Sequence, residues 1–376
     1  MAKVLLISFS TLPTMQKYLY TASAELAFLG HDVWTVGSTN VRSGDALGPR
    51  NVTVDTPPTP RPSVSSFWSS KKSLDTVRAL IQRVRPDVIH FVNKHVWNYL
   101  LLRQVRRKGI QTKWVHTFHD PIGHEGDSVR QGVVAYHKVI QRHLDAIVVH
   151  SETARSQTLR ALRPHCLIAL SPLGLKRWKD YEAADARASK RALAFGRLNF
   201  YKGCAMYPKI FDEIHRLDPT IEITVAGQPS KDVPKELIAQ IAACPNVRLD
   251  AHFIEEDAVE RYFRESSIVL TPYTSMTQSG VILDAYSHSR PVLAFHIEEM
   301  REFLPHGAYT VEPFDTQEYA RTLVGLLNDP DSCARAGRDS WEFGRRQFSP
   351  SSMAAGFASV YDSLISGSTG IPARAD

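Results

Sequence analysis

The sequence predicts an α/β protein made of two doubly wound, Rossmann-like domains facing each other across a cleft, and three observations carry that reading. Short β-rich runs alternate with helix-length runs from end to end, the pattern of parallel sheets with helical crossovers. Several β-rich runs, such as KVLLISF (Lys3–Phe9) and AIVVHS (Ala146–Ser151), are apolar throughout, as strands covered on both faces are. A polar, charged stretch, KRWKDYEAADARA (Lys176–Ala188), breaks the alternation near mid-chain, and a second alternation begins after it.

In the first half, strands are expected at Lys3–Phe9, His31–Gly37, Asp87–Val92, Thr112–Phe118, Ala146–His150 and Leu167–Pro172. Helical segments lie between them at Met15–Leu29, Ser73–Val84, Val96–Lys108 and Glu152–Leu162, and Gly30 suits the left-handed position that ends the first of these. Four prolines and six serines in TPPTPRPSVSSFWSSKKS (Thr56–Ser73) predict a loop, with Phe67 and Trp68 either pinning it to its own domain or, with Lys71 and Lys72, touching a membrane or acceptor. In the second half, strands are expected at Arg191–Phe195, Ile221–Ala226, Val247–Ala251, Ile268–Thr271, Pro291–Phe295 and Tyr309–Val311. Helices at Thr316–Leu327, Ser332–Arg346 and Ser351–Ile365 close the chain. The domains so drawn are 1–175, 189–350, and a C-terminal helix and tail, 351–376, that packs back on the first domain.

Composition narrows the class. With 43% hydrophobic and 22% charged residues the chain is neither disordered nor fibrous. No apolar run is long enough to cross a bilayer, and the start lacks the small-residue cleavage site of a signal peptide, so a cytoplasmic location is expected. Cys166, Cys204, Cys244 and Cys333 form no CxxC pair, which predicts free thiols and no zinc site. A net charge of +6 suits an anionic partner, and the helix end RQVRRKG (Arg103–Gly109) suits the surface of an anionic membrane; a solvated basic face explains both equally well. The cations are not interleaved with aromatics as in a nucleic-acid module, so no nucleic acid is expected.

Two stretches carry chemistry. In FGRLNFYKG (Phe195–Gly203) a strand runs into Gly196, which lets the backbone turn and approach a ligand. Arg197 supplies a bidentate grip on an anion and Lys202 a compact point charge. Gly203 is read as opening the next helix, whose amides favour negative charge. Together they describe a cradle for a diphosphate, although no P-loop pattern is present. In YTSMTQSGVILDAYSHSRPVLAF (Tyr273–Phe295) a strand leads through a polar turn to a helix start at Ser279–Gly280. The amides of Ser279, Gly280 and Val281 form a second anion site, and Asp284, one turn in, is placed to accept from a ribose diol.

FGRLNFYKG, IEITVAGQ, VRLDAHFIEEDAVERYF and SGVILDAYSHSRPVLAF, in that order and spacing, resemble the nucleotide domain of retaining group-1 (family 4) glycosyltransferases of the GT-B fold. LGHDVWTVGS and HTFHDP resemble strands of that family's acceptor domain, so the resemblance covers essentially the whole chain. It implies that Arg197 and Lys202 hold and neutralise the departing diphosphate. It places Gln228 near the nucleotide and His252, Phe253 and Ile254 at the base. Thr277, Gln278, Ser279, Gly280 and Val281 would line phosphates and sugar, with Asp284 at the ribose. His119 matches the family's active-site histidine at the transferred sugar.

The chain also departs from the family pattern. Met276 stands where the family has the first acid of its E-x7-E element, with Thr277 and Gln278 as candidate replacements. Asp284 is one methylene shorter than the usual second acid. FSTLPTMQ (Phe9–Gln16) stands in place of a glycine-rich loop, which makes Thr14 and Gln16 candidates for the acceptor side. The loop DPIGHEGDSVRQG (Asp120–Gly132) adds His124, Glu125 and Arg130 for acceptor recognition; it lacks metal-ligand spacing, so no metal and no cofactor is expected.

The implied activity is retaining, metal-independent transfer of a sugar from a nucleotide sugar, UDP by default, to a glycan or lipid-linked acceptor. A GDP-mannose-dependent mannosyltransferase, a nucleotide-sugar epimerase and a non-catalytic nucleotide-sugar-binding protein are the alternatives.

Overall fold

The computed structural model describes residues 1–40, 50–57, 64–123, 130–174, 178, 180–181 and 190–367, with side chains left out at 64–70 and 130. The chain divides into two compact units, one built from Met1–Gly123, Ser128–Leu175 and Pro350–Asp376, the other from Lys176–Ser349.

The first unit has strands β1 (Lys3–Ile7), β2 (Asp32–Ser38), β3 (Asn51–Val54), β4 (Val88–Phe91), β5 (Lys113–Thr117), β6 (Ala146–Val149) and β7 (Leu167–Leu170). They form one sheet in the order β3-β2-β1-β4-β5-β6-β7, with parallel pairing throughout. Helices α1 (Pro13–Phe28), α2 (Val64–Val84), α3 (Val96–Arg107), α4 (Arg130–Ile140) and α5 (Glu152–Leu162) connect them, and α12 (Pro350–Ser366) returns to pack on α1. One cluster joins Leu5, Ile7, Ile89, Phe91, Trp114 and Ile147 of the sheet to Leu101 and Val105 of α3. The apolar strands are thus buried as their composition demands.

The second unit repeats the plan. Its strands β8 (Arg191–Phe195), β9 (Glu222–Ala226), β10 (Val247–Asp250), β11 (Ile268–Thr271), β12 (Val292–Phe295) and β13 (Tyr309–Val311) pair in parallel in the order β10-β9-β8-β11-β12-β13. Helices α6 (Tyr207–Leu217), α7 (Lys235–Ala243), α8 (Glu256–Arg264), α9 (Gly280–Ser287), α10 (Thr316–Leu327) and α11 (Pro330–Gln347) complete it. In both sheets the order of strands reverses beside the first strand of the unit. The crevice beyond the carboxyl ends of the strands at such a reversal is where doubly wound sheets bind ligands.

Three expectations are corrected. The loop expected over Thr56–Ser73 is helical from Val64 onward. All four prolines lie at or before Pro62, and Val64, Phe67, Trp68, Leu74, Val77, Ile81 and Val84 then follow the helical period, which outweighs the serines. Gly203 does not open a helix: it sits at φ +83° between two short 3-10 turns, and α6 begins at Tyr207. A short strand absent from the expectation, β3, adds to the edge of the first sheet, where its half-buried residues gave little period-two signal. Among the described residues, no helix is long and apolar enough to cross a membrane.

Candidate active site

The reversal of strand order in the second unit lies between β8 and β11, and the two chemically marked stretches are the loops leaving those strands. The β8 loop is shaped by glycine. The Gly196 N–H donates to the Ala226 carbonyl (2.9 Å) at φ +96°. A Cβ there would lie 3.0 Å from both Lys202 Nζ and Val281 Cγ2, so those two side chains close over the Gly196 backbone. Gly227, which follows β9, abuts the same residue: a Cβ on it would stand 2.1 Å from the Gly196 carbonyl oxygen. Gly203 presses against the other loop, its missing Cβ 2.2 Å from the Pro272 carbonyl. Only glycines permit these approaches.

Hydrogen bonds tie the loops together. The Thr274 N–H and hydroxyl both donate to the Tyr201 carbonyl (2.8 and 3.3 Å), and Leu198 exchanges backbone bonds with Gln228 (3.1 Å) and Ser230 (2.9 Å). The Lys202 ammonium stands 5.4 Å from the centre of the Tyr273 ring, a cation–π geometry. Burial, and then the charge on Arg197, push the Lys202 pKa down to about 8. Two cations are therefore held close enough to repel, one of them desolvated, an arrangement that an anion would relieve.

Facing Lys202, α9 begins with a proper cap: the Ser279 hydroxyl accepts from the Ile282 N–H (3.3 Å). Gly280 is exposed, and its missing Cβ would meet nothing within 4 Å, so α9 is open to a ligand at its first residue, between buried Ser279 and Val281. Gln278 is half-buried, and its buried Oε1 accepts no hydrogen bond from a described residue. Thr277 is buried. Met276 is 1% exposed, so the position of the family's first acid is part of the core here. Asp284 is half-buried in α9, and its carbonyl accepts from His288 Nδ1 (2.8 Å). Arg197, Gln228, His252 and Phe253 are exposed and Ile254 is half-buried. The structure thus brings Gly196, Lys202 and Val281 into contact at the reversal. It presents Gln228 on the adjacent loop after β9 and His252–Ile254 on the one after β10.

In the first unit, the reversal lies between β1 and β4. Gln16 is buried, and its amide nitrogen donates to the carbonyls of Ser8 (3.2 Å) and Ser10 (2.7 Å), so it braces the β1–α1 loop from within. Thr14 is exposed in the first turn of α1. His119 follows β5 and is half-buried; its Nε2–H donates to the Val92 carbonyl (2.9 Å) and its Nδ1 lies 3.2 Å from His150 Nε2. His124, Glu125 and the side chain of Arg130 lie outside the described residues. Cys204, Cys244 and Cys333 are buried free thiols and Cys166 a half-buried one. Sequence reasoning passed over His150, Tyr201 and Tyr273. The signal for the first was present, since HTFH and VVH both end adjacent strands in histidine.

Two doubly wound parallel sheets, the second bearing two interacting cations at its strand reversal, are the domain plan of the glycosyltransferases of the GT-B type. The chain belongs to these glycosyltransferases: residues 189–329 match the "Glycosyl transferases group 1" model and residues 14–174 the "Glycosyl transferase 4-like domain" model, between them most of its length. It is similar to a GDP-mannose:glycolipid 4-beta-D-mannosyltransferase of Xanthomonas campestris pv. campestris, 25% identical over 211 residues, 56% of this chain and 57% of that one. It is also similar to a D-inositol 3-phosphate glycosyltransferase of Corynebacterium efficiens, 26% identical over 246 residues, 61% of this chain and 57% of that one. The match therefore spans little more than half the length of these curated relatives. Among solved structures, a sucrose-phosphate synthase from Thermosynechococcus elongatus shares the fold, with a TM-score of 0.75 and 18% identity over 98% of this chain and 100% of that one.

Proposed function

We propose that the protein transfers a sugar from a nucleotide-sugar donor, a UDP-sugar by default, to a glycan or lipid-linked saccharide, with retention of anomeric configuration and without a metal ion. The observation that carries this reading is the Lys202 ammonium, desolvated beside Arg197 and lying over the Gly196 backbone against Val281 of α9. Breaking the anomeric C–O bond leaves a nucleoside diphosphate, and the new charge must be met by groups already in place. Lys202, Arg197 and the start of α9 at exposed Gly280 supply two positive charges and a helix terminus for that purpose. Charge neutralisation of this kind needs no Lewis acid. Asp284 is assigned to the ribose, Gln278 Oε1 to a sugar hydroxyl in place of the acid replaced by Met276, and His119 to the sugar side. Retention follows from same-face attack assisted by the leaving phosphate. The paired carboxylates of glycosidases are not invoked.

Thermal-shift measurements with UDP, GDP, ADP and their sugars test the donor, since a ligand that binds only the native state raises its apparent stability. A shift with none of them removes the reading; a shift without transfer to any acceptor leaves a nucleotide-sugar-binding protein. The Xanthomonas relative's name favours a second reading, GDP-mannose as donor. That name also carries a β linkage, whereas same-face attack on an α-configured donor gives an α product. The anomeric configuration of the product, read by NMR, separates retention from inversion.

A further inference from the structure

Two histidines of the first unit meet across a contact that their other hydrogen bonds leave without a proton. His119 and His150 follow the adjacent strands β5 and β6, and each ring has its outer nitrogen committed to a backbone carbonyl. His119 Nε2 lies 2.9 Å from the Val92 oxygen and His150 Nδ1 lies 2.8 Å from the Ser171 oxygen. A carbonyl only accepts, so both outer nitrogens carry hydrogen. In two neutral rings the inner nitrogens, His119 Nδ1 and His150 Nε2, would then both be bare lone pairs, facing each other at 3.2 Å. Turning either ring over would put carbon against its carbonyl and lose that bond. Tyr18 OH, 3.3 Å from His150 Nε2, can donate to that nitrogen, but it leaves His119 Nδ1 facing an acceptor. One added proton on either inner nitrogen turns the repulsive contact into an N–H···N bond and satisfies all four nitrogens.

We propose that His119 and His150 share one proton across this contact, making the pair a monocation in which His150 is a positioning residue that fixes the orientation and charge of His119. The proton moves between two nitrogens and no bond to carbon changes. Burial disfavours a charge on either ring, and Asp120, beyond β5, offsets part of that for both. His116 of β5 and His137 of α4 are pushed down by burial and add no charge beside His119 at neutral pH. On β4, His90 is pushed down to about 3 by burial and adds no competing charge at neutral pH. Tyr18 of α1 is held as a neutral phenol by burial, and α12 contributes the apolar Phe357, whose ring packs edge-on against Tyr18 and His90. Burial lowers both rings, His150 to about 3, so the shared proton is held by the N–H···N bond against that cost and a second proton is excluded.

The test does not need the substrate. The full chain labelled with 15N-histidine is followed by NMR from pH 5 to 9, with His119→Gln and His150→Gln providing assignments. The expected result at pH 7 is a single proton per pair, seen as a nitrogen–nitrogen coupling between His119 Nδ1 and His150 Nε2 that vanishes together with the proton as pH rises. In His150→Gln the amide donates to a neutral His119, and the pH-dependent uptake of that proton disappears. If the variants do not fold, sequential correlations in the unaltered chain give the assignment. Two inner nitrogens that are both unprotonated at pH 7, with no coupling between them, overturn the proposal whether or not sugar transfer is observed. With a donor in hand, wild-type turnover should also fall as the shared proton is lost, on a limb absent from His150→Gln; identical pH profiles for the two would refute the role of His150.

Discussion

Raising the pH from 7 to 9 should weaken diphosphate binding about tenfold, because Lys202 is the titrating cation of the site. Its pKa in the free protein is pushed to about 8 by burial and Arg197. A bound diphosphate would reverse that cause and restore the ordinary amine value, so binding takes up a proton wherever the free lysine has lost one. At pH 7 nearly all free protein is already charged; at pH 9 only about a tenth is. The loss of affinity is therefore about tenfold, or about 1.4 kcal/mol. The phosphates of the nucleotide have a last pKa near 6 and do not titrate across this window. Isothermal titration of UDP or GDP at pH 7, 8 and 9, at fixed ionic strength, measures the slope directly. Repeating it in buffers of different ionisation enthalpy counts the proton. Lys202→Arg, always charged, should flatten the slope. An affinity independent of pH, or a slope that survives in Lys202→Arg, would refute the assignment of Lys202 to the diphosphate.

The same depressed pKa makes the lysine a burden on the empty fold, in full below about pH 8 and relieved only as pH rises from there to the ordinary amine value of 10.5. Lys202→Met should therefore raise the unfolding free energy at pH 7 by about 2–3 kcal/mol while abolishing nucleotide binding, as read by urea unfolding beside titration. Gly203→Ala and Gly227→Ala should each cost about 3 kcal/mol or more, because a Cβ would stand 2.2 and 2.1 Å from backbone oxygens; denaturation midpoints close to wild type would show the loops are more forgiving. Gln278→Ala should lower the affinity for the sugar nucleotide roughly five- to tenfold, the worth of one hydrogen bond, and leave that for the bare nucleotide unchanged; an equal loss for both would move Gln278 away from the sugar. Binding to anionic vesicles, if the basic end of α3 meets a membrane, should weaken steeply with salt, and indifference to lipid charge would count against it.

Much of the fold was legible because both halves obey one rule, apolar strands alternating with helices, and the central strands β1, β4, β6, β11 and β12 are buried as that rule requires. The helices Glu152–Leu162 and Thr316–Leu327 fall where their period and caps put them. Legibility ended where a residue's meaning depended on a distant neighbour. Gly227 looks like a strand end until the Gly196 carbonyl is set against it. Tyr201 looks like a loop aromatic until its carbonyl binds Thr274, 73 positions on. His119 and His150 are 31 residues apart and share no period; only the β5–β6 pairing puts their rings together. The β8 loop was readable for the opposite reason. Its glycines and cations are contiguous, and their chemistry is local.

A structure determined with UDP or GDP bound puts the central claim to its most direct trial. The account predicts phosphate oxygens within hydrogen-bond reach of Lys202 Nζ and the Gly280–Val281 amides, with the Arg197 guanidinium turned toward them. A diphosphate seated away from the β8 and β11 loops, with Lys202 left without an anion, would contradict it.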